Sequence, residues 1–245
     1  MKRIDGRRPN QLRPYEIKWN IAPNASGSVL IKCGKTQVIC TATIENHVPR
    51  WMDAQNVDGG WLTAEYSMMP ASTLSRKQRE IAKGRIDGRG QEIQRLIGRS
   101  LRAVTDLSSL GRRTVWLDCD VLAADGGTRT TAITGAYLAL KQAVHHLMEK
   151  GELAKNPLKY AVAATSVGVW ADIPILDLCY EEDRDASVDM NVVMTHKGEF
   201  VEIGATGEEA TFSAEHLKEM LELAQAGIRK AFHFQKKAWK ALDEA

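Results

Sequence analysis

The sequence has no long apolar run. Among its 245 residues, the longest uncharged apolar segments, such as 160–170, are broken by Thr165, Ser166 and Gly168. They fall far short of the ~20 residues that a membrane-crossing helix needs. It has almost no net charge either, since 33 basic and 31 acidic side chains leave +2. The opening Met1-Lys2-Arg3-Ile4-Asp5-Gly6-Arg7-Arg8 lacks the apolar core of a secretory leader, so the expected compartment is the cytoplasm. Cysteine is scarce. Cys33, Cys40, Cys119 and Cys179 show no C-x-x-C spacing and each sits in an apolar stretch, which reads as reduced core thiols rather than metal ligands or disulfides. His47, His145, His146, His196, His216 and His233 show no metal-ligand spacing, and most are expected on surfaces and helix faces. The chain also lacks G-x-S-x-G, G-x-x-x-x-G-K-[ST], H-E-x-x-H and a G-x-G-x-x-G after a strand, which removes the common nucleophile and nucleotide motifs.

What is there is an ordinary globular composition, 44% hydrophobic and 26% charged, on enough chain for one large domain or two small ones. Charge is balanced in total but not in place. Between 76 and 102 stand Arg76, Lys77, Arg79, Lys83, Arg85, Arg89, Arg95, Arg99 and Arg102, against only Glu80, Asp87 and Glu92. Between 177 and 189 stand Asp177, Glu181, Glu182, Asp183, Asp185 and Asp189, with Arg184 alone opposing them. Clustered guanidinium groups suit phosphate and clustered carboxylates suit a hard divalent cation. Polyphosphate or nucleic acid chemistry uses both.

Alternation predicts a β-hairpin over 29–44 turning at Gly34-Lys35, a strand at 61–66 after a turn-rich loop over 48–60, and a strand over 113–122. Ile93, Leu96, Ile97, Leu101 and Val104 form a helical stripe. Arg95, Arg99 and Arg102 lie on another face, open to either solvent or RNA. The turn Asp125-Gly126-Gly127-Thr128-Arg129-Thr130 leads into a helix over 131–150. A strand, a Gly-Gly turn and a helix start make an anion-binding arrangement, because glycines let successive N–H groups converge where a helix leaves them unsatisfied. After a boundary over 151–157, strands are expected at 161–170, 174–180, 188–195 and 200–204, then a helix from an N-cap at Ser213 toward Trp239. Strands followed by helices, twice, predict an α+β fold with two similar lobes, 1–152 and 153–245.

Four motifs carry a family resemblance: Ile4-Asp5-Gly6-Arg7, the stretch from Gly88-Arg89-Gly90 through Arg99, Ala124-Asp125-Gly126-Gly127-Thr128-Arg129-Thr130, and Val188-Asp189-Met190-Asn191-Val192-Val193. Together, in this order, they resemble the bacterial ribonuclease PH family from about Arg3 to the last helix. The resemblance implies a phosphate-dependent 3′-to-5′ exoribonuclease that trims the 3′ ends of transfer RNA and other structured RNA precursors. It would release nucleoside diphosphates and run in reverse as a nucleotidyltransferase. It also implies a hexameric ring, a trimer of dimers. Arg89, Arg129, Gly127 and Thr128 would hold the attacking phosphate, Asp183 and Asp189 would hold Mg²⁺ or Mn²⁺, and Arg76 and Arg79, with Arg95 and Arg99, would meet RNA. Asp185 reads rather as a solvated turn carboxylate.

Two departures from the family pattern stand out. The 51–60 loop carries Asp53 and Asp58 in place of basic residues, and Ala71 stands where the family commonly has arginine. Other readings of the same residues are a metal-dependent hydrolytic nuclease, which leaves the Gly-Gly-Thr-Arg turn without a purpose, and a non-catalytic RNA-binding subunit of an exosome-type ring.

Overall fold

The computed structural model describes residues 3–79, 87–207 and 210–244, so Glu80, Lys83 and Arg85 of the basic block lie outside the described residues. The alternating apolar positions build the first sheet: β1 (Tyr15–Trp19), β2 (Gly27–Cys33), β3 (Thr36–Glu45), β4 (Trp61–Met68) and β5 (Thr114–Ala123), in the order β1-β2-β3-β5-β4. Val29, Ile31, Val38, Cys40, Leu117, Cys119 and Val121 face inward and are buried. Only β4 and β5 run parallel, and parallel neighbours need a crossover. The crossover carries α2 (Gly88–Ala103) and a 3-10 turn at Leu107–Leu110; the shorter α1 (Arg50–Ala54) precedes β4.

The long helix α3 (Thr128–Glu149) is apolar around most of its circumference, as expected of a helix buried on several sides. Ala132, Ile133, Ala136 and Leu140 join one core with β2, β3 and β5, and the same core takes in Val162, Ala164 and Val193. Gly135 allows this closeness: a Cβ there would lie 2.6 Å from Ile31 Cγ2 and 2.8 Å from Cys40 Sγ. The second sheet is antiparallel, β7-β6-β8-β9, from β6 (Val162–Trp170), β7 (Ile173–Leu176), β8 (Val188–Thr195) and β9 (Phe200–Gly207). The final helix α5 (Ala214–Asp243) buries Met220, Ala224, Ile228 and Ala231 against Val167, Leu176 and Met190. Its N-cap is Ser213, whose hydroxyl accepts from His216 N–H at 3.1 Å.

Some expectations need correction. The 48–60 loop contains α1. Strand β1 adds to the expected elements, with Tyr15, Ile17 and Trp19 alternating with Glu16 and Lys18. The strand expected over 174–180 stops at Leu176, because Asp177 takes a positive φ of 56° and Tyr180 begins the short helix α4 (Tyr180–Asp185). All four cysteines are free and buried.

Asp177, one of five non-glycine residues at positive φ among the described residues, sits in a buried charge cluster. The Asp177 carboxylate accepts from Arg13 N–H (2.7 Å), Arg13 Nε (3.0 Å), Arg13 Nη2 (2.6 Å) and Arg7 Nη1 (3.3 Å). Arg3 grips Glu182 through Nε (2.8 Å) and Nη2 (2.5 Å) and donates to the Leu176 and Asp177 carbonyls. Burial would raise the Asp177 pKa, but the charge and hydrogen bonds of Arg13, helped by Arg7, outweigh it and hold the carboxyl below the ordinary range. Glu182 is lowered likewise, burial being outweighed by Arg3.

A depressed native pKa contributes stability that is present above the unfolded value and is lost as pH falls through the folded one. Stability to urea is therefore expected to fall as pH drops below about 4. Asp177→Asn should cost about 3–5 kcal/mol at neutral pH by leaving the buried Arg13 with only the more distant Asp125 carboxylate, at 3.8 Å, as a counter-charge, and should flatten that acid limb. An acid limb unchanged by the substitution counts against the cluster as its source.

Candidate active site

The turn between β5 and α3 is left-handed at two successive residues, Gly126 (φ 72°) and Gly127 (φ 63°). A Cβ on Gly126 would sit 2.4 Å from the Leu178 carbonyl oxygen and 3.0 Å from Tyr180 N, so this turn lies directly against the start of α4. Arg13 fastens it from the other side, donating through its guanidinium to the Asp125 and Gly126 carbonyls. Gly127 is the N-cap of α3 and offers no capping side chain. The first N–H groups of a 22-residue helix are thereby presented to whatever anion occupies the turn.

Thr128 is buried, and Tyr66 Oη donates to its Oγ1 at 2.8 Å. A threonine hydroxyl holds one proton; having accepted from Tyr66, it has that proton left to donate. Tyr66 stays in the donor form because burial raises its pKa, with Thr128, Arg89 and Arg129 only partly opposing the shift. Arg129 is partly buried and forms an ion pair with Glu92 at 3.3 Å. Arg89 projects from the first turn of α2, where Asp87 caps the helix by accepting from Arg89 N–H at 3.2 Å. From the other lobe come Asp183 on α4 and Asp189 on β8, whose Oδ2 accepts from Asn191 Nδ2 at 3.2 Å.

These groups share one cleft. Arg89, Gly127, Thr128, Arg129, Asp183 and Asp189 line it together with Ser166 and Asn191, around a volume of ≈ 70 Å³. A cavity needs only ~10–15 Å³ of such space to hold one water, so the cleft has room for a small oxyanion. Its carboxylate, amide and hydroxyl oxygens are hard donors. Among the described residues no cluster of three or more His, Cys, Asp or Glu forms a metal cage. Two carboxylates nevertheless fit Mg²⁺, which is commonly held by one or two of them with water and substrate phosphate completing its shell.

The expected RNA-facing residues divide. Arg76 and Arg79 are exposed on the 71–79 segment, which is tied down by Lys77 N to the Pro70 carbonyl (2.8 Å) and Ala124 N to the Ser72 carbonyl (2.8 Å). Arg95 is exposed on α2. Arg99 instead makes a two-pronged ion pair with Glu202 of β9, and Arg102 lies over the Trp61 ring at 5.0 Å while donating to the Leu62 carbonyl. In the 51–60 loop, Asp53 pairs with Arg112. Asp185 is exposed and bound to its neighbour Arg184 (2.6 and 2.8 Å), and it does not line the cleft. Sequence reasoning missed Tyr66, Glu92 and Asn191. For Asn191 a signal existed, because it follows Asp189 by two residues and so shares its face of β8.

Inorganic phosphate should bind this cleft, and Tyr66→Phe should weaken that binding by about 3- to 10-fold, the worth of one oriented hydrogen bond. Calorimetric titration with phosphate checks it. Equal affinity in the two proteins means that Thr128 needs no orientation by Tyr66.

The geometry agrees with what the chain is similar to. The 3′ exoribonuclease family matches twice, its domain 1 over residues 11–145 and its domain 2 over 160–227. Ribonuclease PH of Corynebacterium efficiens is 55% identical over 236 residues, covering 96% of each chain. Among solved structures, rice (Oryza sativa) Rrp46 superposes with a TM-score of 0.78 at 21% identity, over 96% of this chain and 99% of its own. The Archaeoglobus fulgidus exosome with RNA bound to the active site gives 0.77 at 20% identity, over 95% and 92%. At these identities the two structures speak for the fold alone. The α+β architecture, the two matched domains and the 55%-identical relative agree with one another, and the chain belongs to the 3′ exoribonuclease family of ribonuclease PH type.

Proposed function

We propose that the chain removes nucleotides from RNA 3′ ends by phosphorolysis, with Arg89, Gly127, Thr128 and Arg129 holding the attacking phosphate. The observation that carries this reading is the single small cleft in which an anion cradle and two carboxylates meet. A phosphate dianion approaching a phosphodiester brings about −3 to one place, and the repulsion must be offset. The guanidinium groups and the α3 N-terminus supply fixed positive charge, already oriented before reaction. Thr128 donates its remaining proton to a phosphate oxygen. No side chain has to be activated as a nucleophile, which fits the lack of any hydrogen-bonded serine–histidine or cysteine–histidine side-chain dyad among the described residues. Asp183 and Asp189 would hold Mg²⁺ or Mn²⁺, which when bound supplies charge stabilisation at the reacting phosphoryl group and the departing 3′ oxygen. The products are nucleoside diphosphates, and the reverse reaction adds nucleotides.

The reading takes transfer RNA and other structured precursors as substrates, the cytoplasm as compartment, lobes divided at 152/153, and a hexamer built as a trimer of dimers. No helix among the described residues is long and apolar enough to cross a membrane. Assembly is supported by sheet edges at β1, β4, β7 and β9 and by exposed Phe200 and Ile203 on the β9 edge, since closed symmetric association is a usual cover for such features. Arg76 and Arg79, repeated around a ring, would grip a folded RNA while its 3′ end reaches one cleft.

Products formed from a short RNA with and without phosphate decide the chemistry. Diphosphates that appear only with phosphate are expected. Monophosphates would mean hydrolysis, and no product would mean a non-catalytic ring subunit. Arg129→Ala should lower the phosphorolysis rate by about 10²- to 10³-fold, partly recovered at high phosphate. Light scattering at micromolar protein should give a hexamer mass; a stable active monomer of 27.1 kDa would overturn the ring.

A further inference from the structure

A second cavity opens from the phosphate cleft and differs from it in chemistry. It shares Arg89, Gly127, Thr128 and Asp183 with the cleft, but its other walls include Met68, Leu74 and Tyr180. Its volume is ≈ 350 Å³ against ≈ 70 Å³ for the cleft, within the usual range for small organic ligands and too large for a lone oxyanion. Leu74 is 99% exposed and Tyr180 45% exposed. Scattered apolar side chains on a surface are ordinary. Here two of them border one cavity, directly beside a site built for phosphate.

Tyr180 is exposed as a residue yet anchored in its backbone. Its N–H donates to Asp125 Oδ1 at 3.3 Å, and the missing side chain of Gly126 lets the phosphate turn press against its nitrogen. Three residues later on the same short helix stands Asp183. The backbone that carries the ring is therefore held close to both the anion cradle and the carboxylate. The cavity wall also includes Lys77, whose ammonium is paired with Asp87 at 3.2 Å.

A half-exposed aromatic ring on an anchored backbone beside a phosphate site can serve base stacking, and stacking tolerates any base because every base has a π face. An enzyme that shortens RNA one residue at a time needs that tolerance at the reacting end. Resting on the exoribonuclease reading above, we propose that Tyr180 is the stacking platform for a nucleobase adjoining the scissile phosphodiester, with Leu74 as an apolar wall of the same subsite.

Short single-stranded RNAs carrying the fluorescent base 2-aminopurine at the 3′-terminal or penultimate position test it by binding alone, without phosphate. At one of the two positions, fluorescence should be quenched by the wild-type protein and by Tyr180→Phe, which keeps the ring, but not by Tyr180→Ala. With phosphate present, Tyr180→Ala should lose about 5- to 150-fold in kcat/KM on intact RNA. It should lose little on RNA made abasic at that same position, and the KM for phosphate should hold. Quenching that ignores Tyr180 at both positions, or an equal loss on intact and abasic RNAs, overturns the platform. Wild-type protein that stacks the probe but releases no diphosphates leaves the platform standing and overturns the phosphorolysis reading instead.

Discussion

The Asp177 carboxylate holds the arrangement together. It is buried and charged, a condition that is tolerable only with partners, and Arg13 and Arg7 come from the far end of the sequence to supply them. Arg13 is divided between two tasks, since the same guanidinium that binds Asp177 also holds the Asp125 and Gly126 carbonyls. Arg3 repeats the pattern one step along, on Glu182, whose carboxylate also accepts from Cys179 N–H and so fixes the start of α4. One buried network thus sets the backbone of the phosphate turn from β5 and of the helix that carries Asp183. The nearby Cys33 thiol feels its burial and this carboxylate, which push its pKa up to about 12, so it stays an inert core group.

In the proposed reaction, the cleft meets an electrostatic problem with charged groups from both lobes. Positive charge comes from two side chains and a helix end on one lobe, and negative charge from two carboxylates on the other. Three of these groups are oriented by a neighbour. Arg129 leans on Glu92, Thr128 on Tyr66 and Asp189 on Asn191. In each pair the second residue spends a bond to settle the direction of the first, which is how a site avoids reorganising at the moment of reaction.

Much of this could be read from spacing. The hairpin over β2 and β3, strand β5, helix α3 and the Ser213 cap of α5 follow from period-2 and period-3.6 patterns and from one hydroxyl at a helix start. Arg89, Gly127, Thr128, Arg129, Asp183 and Asp189 stand out in the sequence, and the structure gathers all six into one cleft. Long-range partnership could not be read. Nothing near Asp177 in sequence foretells Arg13, 164 positions away, and without that pair the apolar run from Pro174 reads as a strand continuing through Tyr180. Arg99 looks like an RNA-facing side chain until Glu202 is brought to it by the second sheet. Tyr66 falls on the inward face of β4, where a ring is expected for its bulk and the hydroxyl goes unnoticed.

Gly126 sets the gap between the two halves of the proposed site. Because its missing side chain lets the turn touch the Leu178 carbonyl, the spacing from oxyanion cradle to carboxylate helix is fixed by bare backbone against bare backbone. One added methyl group would force the segments apart by about an ångström to reach ordinary contact. Misplacements of that size can cost a site on the order of a hundredfold in rate. The smallest possible enlargement of one residue, with no charge altered and no hydrogen-bonding group removed, would then do as much harm as deleting an arginine. At this position, the quantity under constraint is thickness.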